Sequence, residues 1–370
     1  MNRRGMACVA FAAVLALAGL VGCSREEESA PAATDGYVFA PLRVASAYTA
    51  LLEKPDAECV LLIGEEARRM TNVFTRSGME VHLTPEGKFD LLVIACREMT
   101  KESCARACSH LTEDGVAAWL MDVRNVRMGQ FERMISSFDL KDVHLWMLGA
   151  ERWMLVGRKN ARPVKLSAML DLFAREGTYE DLAKAACWSL PEMFANYVGK
   201  REDILPAFTS GGRSDAVRPE RFIPRQVPEI DWISREGTEE DIAKDVFAEI
   251  RSMQNVRRTV VEGDILSESA TDKKGEEAAI DKWATALKRN PRDLFVLERL
   301  DRLDRNARGF LEVGKVLMAM KCFETMVLIR PNDARSVHNF GMCLKKIGKL
   351  DVAEKVLKRA ETLANSAPKQ

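Results

Sequence analysis

Histidine is scarce in this sequence, and charge of one sign does not dominate it. The four histidines, His82, His110, His144 and His338, are scattered, and no His-x-x-x-His or Glu-x-x-His spacing sets two metal ligands on one helix face. The chain lacks a Gly-x-Ser-x-Gly elbow, a P-loop and a Cys-x-x-Cys pair, so the sequence signatures of serine hydrolases, P-loop nucleotidases and zinc knuckles are absent. Lys plus Arg equals Asp plus Glu at 55 each, so no overall positive field marks nucleic acid as a partner. Cysteine is too sparse for a disulfide scaffold: beyond the N-terminal segment it stands at 59, 96, 104, 108, 187, 322 and 343, an odd number expected to serve mostly as small buried hydrophobes. Only one long apolar run exists, Met6–Val21, and it falls short of the roughly 20 residues of a spanning helix.

That run follows Arg3 and Arg4 and ends at Leu20-Val21-Gly22-Cys23, the layout of a secretory signal peptide. The last four residues resemble the lipobox of bacterial lipoproteins. The resemblance implies cleavage after residue 22, acylation of Cys23, and attachment to a lipid bilayer on the extracytoplasmic side of a bacterial envelope, held firmly by several acyl chains. Residues 23–36, from Ser24-Arg25-Glu26-Glu27-Glu28 through an Ala/Pro stretch to Gly36, have no apolar periodicity and read as a flexible tether.

The remaining length and a hydrophobic fraction of 47% suffice for two cored domains. Between residues 37 and 160, short apolar runs alternate with helical patterns, predicting an α/β sheet with helices on its faces. The strands are expected at Cys59–Ile63, Glu80–Leu83, Leu91–Ala95, Gly115–Met121, Val143–Leu148 and Arg152–Val156, with helices at Ala67–Arg76, Thr100–Leu111 and Met128–Phe138. The order ECVLLIGEEARRM, KFDLLVIA, LTEDGVAAWLMD and FERMISSFDLKDVHLWMLGAERWMLVGRK resembles the methyltransferase-type Rossmann domain of the spermidine synthase family, with Trp146 and Trp153 in the closing hairpin. The likeness runs to about residue 225, so 161–230 is expected to be a helical extension. There Arg218, Pro219, Glu220 and Arg221 resemble the family's post-sheet element and are expected to fix the tail on the sheet.

The resemblance implies an AdoMet-type cofactor site, and the residues that should build it are missing. The glycine-rich turn after strand one, needed for close backbone approach, is reduced to Gly64, with Glu65 and Glu66 bringing bulk and negative charge. Strand two ends Leu83-Thr84-Pro85 without the carboxylate that binds ribose hydroxyls, and Pro85–Lys88 leads straight into the next strand, without the helix and third strand of the family. The position of the family's general base is Ala95, followed by Cys96; Asp90 matches the family's strand-four pair, a structural position. The expectation is a pseudoenzyme without a cofactor. Two alternatives stay open: an active aminopropyl- or methyltransferase, and a thiol or metal protein built on Cys96, Cys104 and Cys108 with His110 nearby. Cys104 and Cys108 are one helical turn apart, where joint packing into the sheet also accounts for them.

From about residue 240 to 365 the chain reads differently. Phe340-Gly341, Leu344, Gly348, Ala353, Leu357 and Ala360 resemble a tetratricopeptide repeat of about 34 residues. Gly314, Ala319, Phe323 and Pro331 fall at the same second-helix places one unit upstream, where the first helix carries an insertion. Ala279, Trp283, Ala286 and Pro291 mark another second helix, preceded by a helix at Ile242–Val261 and a polar loop near 267–275. Such arrays present a concave face to a protein or peptide, so the sequence-level expectation is a lipid-anchored binding or scaffolding module.

Overall fold

The computed structural model describes residues 39–149, 151–184, 189–209, 212, 215–218, 222, 230–269, 273–291 and 293–366. Cys23, the leader, the tether, Cys187 and the segment Pro219–Arg221 lie outside them. The described chain forms two compact units, Phe39–Asn255 and Val256 onward, the first an α/β sheet unit and the second helical. No described helix is long and apolar enough to cross a membrane.

The first unit opens with α1 (Phe39–Glu53), then β1 (Cys59–Ile63), the short helices α2 (Glu65–Arg68) and α3 (Thr71–Arg76), β2 (Glu80–His82) and β3 (Phe89–Ala95). There follow α4 (Lys101–Cys108), β4 (Leu111–Asp122), α5 (Met128–Ser137), β5 (Lys141–Met147) and β6 (Arg152–Arg158). The near-continuous apolar runs of β1 and β3, Cys-Val-Leu-Leu-Ile and Phe-Asp-Leu-Leu-Val-Ile-Ala, belong to strands buried on both faces, as parallel strands covered by helices must be. Residues 83–88 carry no helix or strand, so β2 forms the sheet edge.

The sheet has seven strands in the order β2-β1-β3-β4-β6-β5-β8, the last being β8 (Tyr197–Lys200). β2, β1, β3, β4 and β5 run one way; β6 is antiparallel to both its neighbours and β8 antiparallel to β5. The stretch expected to be a helical extension therefore supplies the edge strand β8 and the short β7 (Val164–Lys165), which pairs with β9 (Ile233–Ser234), alongside the helices α6 (Leu166–Ala174), α7 (Thr178–Lys184), α8 (Leu190–Phe194), α9 (Arg201–Ile204) and α10 (Pro206–Thr209). Tyr-Val-Gly-Lys is too short to show a strand period by itself, and only pairing with β5 holds it extended. Flanking the expected tail-fixing element, of which Pro219–Arg221 lie outside the described residues, Ala216 bridges Arg127, the Val217 amide donates to the Val126 carbonyl at 2.9 Å, and buried Phe222 packs on Trp153 and Phe131.

A buried charge cluster locks α1 to the hairpin. The Glu53 carboxylate, wholly buried at the end of α1, accepts from His144 Nδ1 and Trp146 Nε1 at 2.9 Å each and from Arg158. His144 Nε2 faces Asp142 at 3.2 Å, and Arg158 also reaches Asp142 at 2.7 Å. Burial alone would push Glu53 up, but the charges of His144 and Arg158 outweigh it and hold the carboxyl below its usual value; Asp142 is depressed in the same way. Burial opposes the charge on His144, yet Glu53 and Asp142 raise it. Trp146, Tyr197 and Trp232 seal the cluster from water.

In the second unit the helices are α11 (Glu240–Ser269, which begins in the first), α12 (Lys273–Arg289), α13 (Leu294–Glu312), α14 (Val316–Ile329), α15 (Ala334–Lys346) and α16 (Leu350–Ser366). From α14 onward each packs on its predecessor, and α12 packs on α14. The pairs α13–α14 and α15–α16 share their punctuation. Asp293 caps α13 by accepting from the Phe295 and Val296 amides, Asp333 caps α15 by accepting from Ser336, and Gly314 and Gly348 end the two helices at positive φ. The α13 helix has 19 residues where α15 has 13. Gly341 lets α15 meet α16 closely, since a Cβ there would stand 2.9 Å from Leu357.

Breaking a buried pair leaves an uncompensated charge, so Glu53→Ala is expected to cost about 3–5 kcal/mol of unfolding free energy in urea titrations. The pH dependence has two signs. The raised His144 contributes fully below the ordinary imidazole value of about 6.5 and is lost as pH rises through its raised value; the depressed Glu53 and Asp142 contribute fully above about pH 4 and are lost as pH falls through their depressed values. The urea midpoint of the wild type should thus decline above pH 6.5, and that decline should shrink in Glu53→Gln.

Candidate functional site

In open α/β sheets, ligands bind beyond the carboxyl ends of the parallel strands, where the connections diverge. This sheet has a cleft of about 410 Å³ there, lined by Glu66 after β1, Ala95 at the end of β3 with Cys96 and Arg97 beyond it, Leu120 and Asp122 at the end of β4 with Arg124 and Asn125 beyond it, and Arg152 at the start of β6. The size falls in the range of small-ligand sites.

Gly64 shapes the floor. It holds φ at 95°, and a Cβ on it would lie 2.1 Å from the Ala95 carbonyl oxygen. The one glycine that the turn keeps is therefore required by close packing of the turn against β3, apart from any ligand. Glu65 is exposed and pairs with Arg69, whereas Glu66 reaches the cleft and is held by Arg43 Nε at 2.9 Å and Arg69 at 3.6 Å.

Among the described residues, the other carboxylate lining the cleft is Asp122. It accepts from the Arg124 guanidinium and the Arg124 amide at 3.0 Å, with Arg152 3.7 Å away. Partial burial pushes Asp122 up, but the Arg124 hydrogen bonds and the two arginine charges win and keep it below the usual carboxylate range. A general base poised near neutrality needs the opposite shift, so Asp122 is an ionised anchor for two arginines. No lining residue comes from β2, and Leu83 beyond its end is exposed.

The expected site residues separate in space. Asp90 lies at the start of β3, the end away from the cleft, where it accepts from the Glu58 amide at 3.1 Å, the Cys59 amide at 3.4 Å and the Thr112 hydroxyl at 3.2 Å. It ties three strand starts together. Cys96 is buried at the cleft, and its carbonyl accepts from Trp119 Nε1 at 3.0 Å. Cys104 and Cys108 come together on α4 with sulfurs 3.9 Å apart, Cys104 being buried. His110 turns to the Gly87 carbonyl at 3.4 Å. Among the described residues, no group of three or more His, Cys, Asp or Glu side chains is placed to hold a metal ion.

Sequence reading missed Arg97, Asp122, Arg124, Asn125 and Arg152 as a set. They come from three separate strand ends, and no spacing links them. The one local signal is the polar break Asp122-Val123-Arg124-Asn125 after an apolar strand, with Asn125 in the left-handed region at φ 59°.

A second surface lies on the helical unit. On α15, Val337, Gly341 and Leu344 face inward, while Arg335, His338, Met342, Lys345 and Lys346 are exposed at helical spacing. Arg335 reaches Asp304 on α13 at 3.4 Å, where Arg308 pairs at 2.7 Å, so the exposed sides of α13 and α15 join. Lys345 and Lys346 form no ion pair among the described residues. The excess positive charge of this side comes from Lys345 and Lys346, since on α13 the exposed Arg305 pairs with Asp301 at 3.2 Å and the exposed Glu312 offsets Arg302.

No protein-family model matches the sequence, and a search of curated proteins finds no match. Gly64→Ala is expected to destabilise the sheet unit by about 2 kcal/mol or more, because a left-handed φ alone costs about 1–3 kcal/mol for a side chain and the Ala95 carbonyl occupies the Cβ position. Thermal unfolding with and without the substitution measures it.

Proposed function

We infer that the chain works as a lipid-anchored docking module: acylated Cys23 holds it at a bacterial membrane, a spermidine synthase-like sheet forms its body without transfer chemistry, and tetratricopeptide-like helix pairs present the binding face. The observation that carries this reading is the exposed cationic side of α13 and α15, with Met342 at its middle, on helices whose opposite sides are consumed by packing. A face of this kind suits an acidic protein segment with an apolar anchor. The Asp caps and terminal glycines repeated between α13–α14 and α15–α16 support the repeat assignment.

The strand order supports the likeness of the sheet to a methyltransferase-type domain, with one edge strand and its helix absent beyond β2. Against transfer chemistry stand the ends of its strands: Ala95 at the position of the family's base, no carboxylate in the cleft from β2, and both cleft carboxylates neutralised by arginine. For the thiol alternative, the geometry favours a pair, Cys104 with Cys108, over the trio that includes Cys96.

Calorimetric titration of AdoMet and of decarboxylated AdoMet into the lipid-free chain tests the claim. No saturable heat is expected for either. Micromolar binding, or methyl or aminopropyl product from an amine acceptor, would overturn the pseudoenzyme assignment.

A further inference from the structure

The cleft keeps binding capacity of a kind different from that of an AdoMet site. Its lining has three guanidinium groups, Arg97, Arg124 and Arg152, against two carboxylates, Glu66 and Asp122. Both carboxylates are already committed to arginine: Glu66 to Arg43 and Arg69, Asp122 to Arg124 and Arg152. The Arg97 guanidinium and the Asn125 amide, by contrast, have no hydrogen-bond or ion-pair partner among the described residues. They come from the ends of the adjacent parallel strands β3 and β4, so both donors border one space. Asn125 is held at φ 59°, a left-handed conformation that asparagine tolerates better than most residues. The side chains left unpartnered at the cleft are thus a guanidinium, which only donates, and an amide that can donate through its Nδ2, and together they bring a net positive charge.

We propose that this cleft is a binding site for a small oxyanion ligand, a phosphorylated or polycarboxylate metabolite, with Arg97 as the principal charge contact and Asn125 as a second donor. Arginine offers a planar fork of donors matched to phosphate and carboxylate oxygens. Asp122 then acts as a positioning residue that holds Arg124 and Arg152 beside the ligand. The proposal stands independently of the docking function, since it concerns the sheet unit alone.

The test uses the full chain without its leader and two probes, pyrophosphate and citrate, titrated calorimetrically at low ionic strength. Saturable binding of at least one is expected; pyrophosphate alone assigns the phosphate class, citrate alone the carboxylate class. Arg97→Ala should weaken it about tenfold or more, the scale of a charge-assisted contact, and added salt should weaken it further. Asn125→Gly removes the amide while leaving a residue that accepts the left-handed backbone, so it should weaken binding with no loss of thermal stability. Arg97 is exposed, so its variant should also unfold at the wild-type temperature. Absence of saturable binding for both probes would overturn the proposal, as would binding unchanged in the two folded variants.

Discussion

The first unit is organised around one buried carboxylate. Glu53 sits at the last turn of the opening helix, 91 residues before His144 and 105 before Arg158, and the three groups can be buried only together. Charge taken from water without a partner costs several kcal/mol, so the cluster is favourable only when α1, β5 and β6 are all in place. It therefore acts as a registration device. Asp142, held at φ 45°, completes the shell on one side, and Lys200 at the end of β8 reaches Asp142 at 3.7 Å and Asp231 at 2.8 Å. The edge strand that extends the sheet is tied in through the same charges.

The opposite end of the sheet uses charge differently. There the arginines outnumber the acids, the acids are neutralised in place, and the turn after β1 packs against β3 so tightly that only glycine fits. A site of this composition holds Asp122 below the usual carboxylate range, away from the neutrality at which a general base works. It favours holding an anion over moving a proton. Two ends of one sheet thus take separate roles: the buried cluster fixes register, and the exposed mouth offers donors.

Much of the architecture was legible in the sequence because it rests on local periodicity. Cys59–Ile63 has the same bounds as β1, and the β3, β4, β5 and β6 expectations differ only at their ends. The expected helix Ala67–Arg76 is instead the two pieces α2 and α3, broken at Arg69-Met70. What escaped was whatever depends on distant pairing. β8 owes its extended form to β5, and the Glu53 cluster joins residues of ordinary appearance. The cleft arginines have meaning only once three strand ends converge. In the helical unit the Asp caps and closing glycines of α13 and α15 recur in order, local signals that a sequence carries by itself. The exposed side of α15 was less legible, because its positive charges are interspersed with inward-facing residues and stand out only once burial separates them.

Docking through the α15 side is the claim on which the functional account turns. It is tested most directly by placing a photo-crosslinking amino acid at Met342 in the membrane-attached chain and irradiating intact cells. The account predicts a discrete protein adduct that disappears when Lys345 and Lys346 are both changed to Glu while the chain remains folded and membrane-bound. No protein adduct from a folded, membrane-attached chain, or an adduct indifferent to that charge reversal, would contradict it.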